Sequence, residues 1–241
     1  MNNDVDKRRI GLILPSVNIR MEPELNRCKE LSGFNFYATR VLLDDTTEET
    51  LKAMESDLQR AAQMIATVLP EAVIYGCTSG SFIQGNDGNS NIINIIEKHC
   101  NCPVITASWA MINSIKALGA KKITLVTPYT DDINEAEKVF FESNGISVVA
   151  MRGLQIIPAE TLRTQSVETI EDLVLKTDTD DSEAVFISCT NVEGFHISEN
   201  LEKKIKKPVV SSNIACLWAL LKAIPNEVKI TDRGTLLRDY L

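Results

Sequence analysis

Cys77 and Cys189 stand in matching surroundings: VIYGCTSGSF runs from Val73 to Phe82, and VFISCTNVEGF from Val185 to Phe195. In each, an apolar run ends at a cysteine that small hydroxylated or amide residues follow. A thiolate is both a nucleophile and a base, and a strand-to-helix junction offers backbone N–H donors that lower a thiol's pKa. Thr78, Ser79, Thr190 and Asn191 add donors that can hold a substrate carboxylate without an arginine. Two thiols facing one substrate can carry a proton from one face of an α-carbon to the other, which is racemisation. One thiolate can instead add to an activated alkene whose central bond then turns before elimination, which is cis–trans isomerisation. A single thiol suffices to protonate the carbanion left by loss of carbon dioxide.

The elements that must position these residues read as alternating strands and helices. β-branched apolar runs predict strands at 9–14, 35–42, 72–76, 103–106, 122–127, 146–150, 184–188 and 208–211. The longest helical period runs from about Glu48 to Val68, with Leu51, Met54, Leu58, Ala61, Ala62, Ile65 and Leu69 on one face. Further helices fit 91–99, 108–118, 132–143, 166–176 and 213–223, and another begins near Arg20, where Asn18 is a candidate N-cap. Three segments then repeat in order: RRIGLILPSVN with KKITLVTPYTD, VIYGCTS with VFISCTN, and PVITASWAMINSIKAL with PVVSSNIACLWALLKA. This is the mark of an internal duplication. The expected fold is α/β, with two pseudo-symmetric Rossmann-like lobes, each a four-stranded parallel sheet flanked by helices. Lobe 1 takes residues 1–112 with 213–241, and lobe 2 residues 113–212.

Ligands of open α/β sheets sit outside the carboxyl ends of the strands. Four loops mark that edge: Pro15-Ser16-Val17-Asn18, Cys77-Thr78-Ser79, Pro128-Tyr129-Thr130 and Cys189-Thr190-Asn191. With the lobes facing each other, the two cysteines become opposite walls of one cleft. The candidate substrate contacts are Ser16, Asn18, Thr78, Ser79, Tyr129, Thr190 and Asn191.

The 241-residue chain carries a formal charge of -8 and no long block of like charge. It therefore offers no basic surface for nucleic acid. No run approaches the roughly 20 apolar residues of a membrane span. The opening MNNDVDKRR does not resemble a secretory signal, so a cytoplasmic location is expected. Six cysteines are too sparse for a disulfide scaffold and remain available as thiols.

The set PSVNIRMEPEL, GCTSGS, TPY and SCTN resembles the Asp/Glu racemase superfamily, in its branch of maleate cis–trans isomerases and arylmalonate decarboxylases. The resemblance covers nearly the whole chain. It implies a cofactor-independent enzyme for a small carboxylate or dicarboxylate, with a homodimer as a family-level expectation. By position, Cys77 matches the nucleophile that adds to the alkene and Cys189 the proton donor opposite. Asn18 matches an asparagine that positions a carboxylate, and Tyr129 a tyrosine that hydrogen-bonds it. The decarboxylases carry glycine in place of the first cysteine, so Cys77 argues against plain decarboxylation. Racemases of the superfamily typically show Cys-Asn-Thr in the first loop, which is absent here. The chain also departs from the isomerases, because Pro158-Ala159 stands where an Asp-Asn pair is usual. Maleate isomerisation leads the expectations; a racemase, an arylmalonate-type decarboxylase and a non-catalytic dicarboxylate sensor remain open beside it.

Other motifs carry less. His99-Cys100-Asn101-Cys102 lacks a second ligand pair at zinc-like spacing, so no metal is expected. His196 reads as a solvated helix residue rather than the partner of Cys189 in a hydrolase dyad, and Cys28 and Cys216 read as packing. GSFIQGNDG fits no nucleotide-binding fingerprint.

Overall fold

The computed structural model describes residues 7–241, without the side chains of 159, 160 and 163; most of the opening stretch MNNDVDKRR thus lies outside the described residues. Among the described residues eight strands form two sheets, as the alternating apolar runs require. The first contains β1 (Arg8–Pro15), β2 (Phe34–Val41), β3 (Ala72–Tyr75) and β4 (Val104–Thr106), in the order β2-β1-β3-β4. The second contains β5 (Lys122–Thr127), β6 (Ser147–Gly153), β7 (Ala184–Ile187) and β8 (Val209–Ser211), in the order β6-β5-β7-β8. All pairings between these strands are parallel. The two orders superpose element for element, as the repeated segments predict. Central strands are buried on both faces, so Ile10, Leu12, Ile13 and Leu14 follow one another almost without polar relief. Edge strands β2 and β6 are only partly buried.

Helices cover the sheets. In chain order they are α1 (Met21–Arg27), α2 (Glu48–Ala53), α3 (Glu55–Ala66), α4 (Thr78–Phe82), α5 (Gly85–Glu97), α6 (Ala107–Ala117), α7 (Asp131–Ser143), α8 (Val167–Thr177), α9 (Ser198–Ile205), α10 (Ser212–Ala223) and α11 (Thr235–Asp239). α6 and α10 pack on each other, and each touches both β4 and β8, which joins the lobes.

Three sequence expectations change. The helix expected over 48–68 is two helices, because the chain turns at Met54, and the second ends at the C-cap Thr67. Leu69 therefore leaves the buried face; it is 72% exposed with φ 51°. α5 begins at Gly85, six residues before the expected 91. His196 is exposed but lies in the turn before α9 rather than within a helix. Cys28 and Cys216 are buried at 3% and 1% exposure, as packing requires. No helix among the described residues is long and apolar enough to cross a membrane.

At the end of β6, Gly153 lets the chain pass beneath the loop that carries Tyr129. A Cβ there would stand 2.2 Å from the Tyr129 carbonyl oxygen and 2.3 Å from Asn134 Nδ2. That carbonyl already accepts the Gln155 N–H at 3.2 Å and the Asn134 amide at 3.3 Å, so it has little freedom to retreat. Gly153→Ala is expected to destabilise the protein by about 1–3 kcal/mol. Gly33→Ala, whose Cβ would meet nothing within 4 Å, is expected to stay within about 0.5 kcal/mol of the parent. Urea unfolding followed by circular dichroism compares the two.

Candidate active site

Both cysteines leave their strands where the two lobes meet. Cys77 follows β3 by two residues and is the N-cap of α4, with φ -130°; its Sγ accepts the Gly80 N–H at 3.3 Å. Cys189 follows β7 and has φ +85°, a left-handed conformation that an L-residue with a side chain rarely adopts. The Asn191 N–H donates to its Sγ at 3.4 Å. The turn is pinned on both sides: the Ser188 N–H reaches the Val126 carbonyl at 2.8 Å, and the Val192 N–H reaches the Cys189 carbonyl at 3.2 Å.

Hydrogen bonds between the lobes then set the thiols against each other. The Thr190 hydroxyl donates to the Gly76 carbonyl at 2.8 Å and accepts the Asn18 amide at 3.0 Å. The Asn191 side chain accepts the Ile19 N–H at 2.9 Å and donates to the Val17 carbonyl at 3.1 Å. Asn18 Oδ1 also accepts the N–H groups of Arg20 and Met21; the N-cap of α1 is Arg20, so Asn18 holds the turn before the helix rather than its N-cap position. Thr78 Oγ1 donates to Ser212 Oγ at 3.0 Å.

One enclosed cavity results. Cys77, Thr78 and Ser79 line it from the first lobe with Asn18; Tyr129, Cys189, Thr190 and Asn191 line it from the second. Pro15, Val17, Leu43, Thr46 and Leu162 complete the wall. Its volume is ≈ 20 Å³, room for little more than a water molecule. Ser16 is the one candidate contact outside the lining. Its hydroxyl turns to the backbone of Leu43, accepting the N–H at 3.1 Å. Two loops roof the cavity: Thr46 Oγ1 donates to the Ile156 and Ile157 carbonyls at 3.1 Å each, and Asp45 pairs with Pro158. The larger hollow of ≈ 930 Å³ between α10 and the C-terminal segment is open to solvent and contains neither thiol.

A family model for arylmalonate decarboxylase matches residues 10–237. The chain belongs to the arylmalonate decarboxylase family. Among its relatives are maleate isomerases of Nocardia farcinica (strain IFM 10152), 25% identical over 240 residues with 96% of each chain covered, and of Geobacillus stearothermophilus, 26% identical over 242 residues with 95% of this chain and 96% of the relative covered. A variant of the maleate isomerase Iso from Pseudomonas putida S16, solved with maleate, is 28% identical and superposes with a TM-score of 0.90, covering 97% of this chain and 98% of that one. The resemblance read from the motifs thus holds over nearly the full length.

Within this arylmalonate decarboxylase fold the thiols are not thiolates at rest. Burial pushes Cys77 up to about 11, against the lowering effect of the Gly80 N–H and Ser79. Burial pushes Cys189 up to about 12; the Asn191 N–H and the Tyr129 hydroxyl oppose the rise, while the charges of Cys77 and Glu137 add to it. Tyr129 stands well above its ordinary value, again through burial. The lowered pKa expected at a helix N-terminus is therefore reversed. α4 is only five residues long, and among the described side chains no lysine or arginine lines the cavity to compensate desolvation.

Sequence reading missed the roof and the supports. Leu43 and Thr46 sit in the loop after β2, and Leu162 in a 3-10 turn after β6, regions the strand-end rule also covers, although no reactive residue draws attention to them. Behind Thr190, Asn213 Nδ2 donates to the Thr190 carbonyl at 3.1 Å and to Glu24 Oε2 at 2.5 Å. Burial, with the Glu193 charge adding, pushes Glu24 up to about 8; Asn213 and Arg20 pull the other way. Glu137 on α7 is also fully buried and is pushed up to about 8.

Two measurements check these assignments. Both carboxyls hold a proton in the folded state that the unfolded chain has released, so stability is fully present below about pH 4.5 and is lost as pH rises through about 8. Thermal melts across that window are expected to show the decline, with a shallower slope in Glu24→Gln. Alkylation by iodoacetamide with peptide mass mapping is expected to be slow at both thiols at pH 7. Its rate at Cys77 should climb about tenfold per pH unit toward pH 10 without a plateau; a plateau below pH 9 would contradict the buried neutral thiol.

Proposed function

We propose that the protein is a cofactor-independent cis–trans isomerase of a small dicarboxylate, of the maleate-to-fumarate type. The observation that carries the reading is that Cys77 and Cys189, from corresponding loops of the two lobes, line one small cavity. Relatives over almost the full length are named maleate isomerase, and the Pseudomonas putida S16 neighbour holds maleate.

Cys77 gives up its proton to solvent, taking one back after turnover, and as the thiolate adds to one alkene carbon while Cys189 delivers a proton to the other. The former double bond is now single and turns. Cys189 recovers its proton as the bond to Cys77 breaks, so no atom is gained or lost. These roles follow the motif correspondence, in which Cys77 stands at the nucleophile's position and Cys189 at the proton donor's. Tyr129, whose hydroxyl faces both Ser79 and Cys189, and the donors of Asn18, Thr78, Ser79, Thr190 and Asn191 would hold the carboxylates. Here the Asn18 amide donates to Thr190 Oγ1 and the Thr190 hydroxyl donates to the Gly76 carbonyl, so binding exchanges one set of partners for another. A four-carbon diacid also needs more than ≈ 20 Å³, so the Thr46 roof parts on entry and recloses to shield the adduct from water.

The reading keeps the lobe division of 1–112 with 213–241 and 113–212, supported by α10 lying against β3 and β4. It places the protein in the cytoplasm, where six thiols stay reduced, and takes a homodimer as its assembly. A second reading, decarboxylation of an arylmalonate, draws support from the apolar wall of Pro15, Val17, Leu43 and Leu162. It leaves Cys77 without a role.

Proton NMR of maleate in deuterated buffer separates the readings. Fumarate is expected to appear with the parent protein. Cys189→Ala is expected to lower kcat by about 10²–10⁴-fold, and Cys77→Ala to abolish turnover. Loss of carbon dioxide from phenylmalonate with maleate unchanged would replace the first reading by the second.

A further inference from the structure

α7 turns Ile133, Glu137, Phe140 and Phe141 to the interior at helical spacing, and one of the four is a carboxylic acid. Glu137 is 0% exposed. Its Oε1 accepts the Ser188 hydroxyl at 2.6 Å, and its Oε2 is buried with no partner. Among the described residues no cation answers it: Lys138 on the same helix pairs with Glu135, and Arg152 on the adjoining β6 is exposed. The titratable groups that face it are Tyr129, from the loop between β5 and α7, and Cys189, from the end of β7; both respond to its charge. A hydrocarbon of similar volume would serve the fold better than a carboxyl with one orphaned oxygen. The position therefore invites a functional account.

Ser188 directly precedes Cys189, the residue with φ +85°. A side-chain-bearing residue stays in that region only where its neighbours over-determine it. Thr190 holds the turn from one side, through Gly76 and Asn213. From the other side the Ser188 hydroxyl is held by Glu137, and its N–H by Val126.

We propose that Glu137 is a positioning residue for Cys189: through Ser188 it holds the strained turn that aims the thiol into the cavity, and in its protonated form it keeps charge away from the back of the site. The proposal rests on the reading of Cys189 as the proton donor. Glu137 is pushed up to about 8 by burial, so it is an acid at neutral pH. Above that value a bare carboxylate stands behind Cys189 and Tyr129. It disfavours their anions and the anionic intermediates of the reaction, so turnover falls on the alkaline side.

Glu137→Gln keeps an acceptor for Ser188 and cannot ionise, whereas Glu137→Leu removes the acceptor. Steady-state kinetics with maleate between pH 6 and 10, as about five points, give the first readout. Glu137→Gln is expected to rescue kcat at pH 7 to within about twofold and to lose the alkaline fall, while Glu137→Leu lowers kcat about tenfold or more with KM within about twofold. The second readout needs no substrate: in a Cys77→Ser background, iodoacetamide alkylation of Cys189 at about pH 9 should be several-fold faster with Glu137→Gln than with Glu137 retained. An unchanged pH profile and unchanged alkylation in Glu137→Gln overturn the proposal, as does parental kcat in Glu137→Leu. If maleate is not turned over by the parent, the function assigned above fails, and the alkylation comparison alone decides the role of Glu137. If Glu137→Leu does not fold, Glu137→Gln carries both readouts.

Discussion

The Thr190 hydroxyl is the hinge on which the site depends. It donates to the Gly76 carbonyl and accepts from Asn18, so one buried oxygen joins the residue before Cys77, the residue after Cys189 and the loop that follows β1. Two sheets packed only by apolar helices could slide, since hydrophobic contact has little directional preference. A buried hydroxyl with two partners has a strong one, because displacement leaves polar groups unpaired in a dry interior. Asn213 extends the same constraint by tying the Thr190 carbonyl to Glu24 on α1. The distance between two thiols on separate lobes is thus set by hydrogen bonds rather than by packing alone.

The burial that fixes this geometry also decides the charge. Raising Cys77 from 9 to about 11 corresponds to about 3 kcal/mol against its thiolate. A helix terminus returns at most about 1 kcal/mol near a surface, and α4 is short. Desolvation wins, and the resting site is neutral. Such a site does not leave a charged nucleophile exposed to solvent between turnovers. It develops charge only where Gly80, Ser79, Asn191 and Tyr129 already point.

Much of this was readable from residue order. Strands buried on both faces leave unbroken β-branched runs, and the duplication shows twice over in segments that became β1 and β5, β3 and β7, β4 and β8. What escaped was structure without a period. α4, TSGSF, has no apolar stripe because all five residues are buried, so nothing marks it as helix. Leu69 keeps the spacing of the 48–68 stripe, yet the helix has ended and the chain has turned left-handed beneath it. Ser16 sits in the right loop, but which way a small hydroxyl turns depends on Leu43, which the sequence places 27 positions away. Glu137 was legible in principle, as a charge on the stripe of Ile133, Phe140 and Phe141. Its partner Ser188 comes from another repeat segment, and only the fold brings them together.

Duplication supplies two equivalent cysteines, yet the proposed chemistry needs two different ones. Identical thiols sharing a cavity would titrate as a coupled pair with no preferred donor. The structure breaks the equivalence at the backbone. Cys77 is in an ordinary extended conformation at the start of a helical turn, while Cys189 is left-handed, with Ser188 anchored to the buried carboxyl of Glu137. Burial keeps Cys189 protonated, and that carboxyl adds to the effect only where it is itself ionised. The symmetry of the scaffold builds the cleft, and its local failure at the Cys189 turn makes the two thiols inequivalent, as the proposed reaction needs.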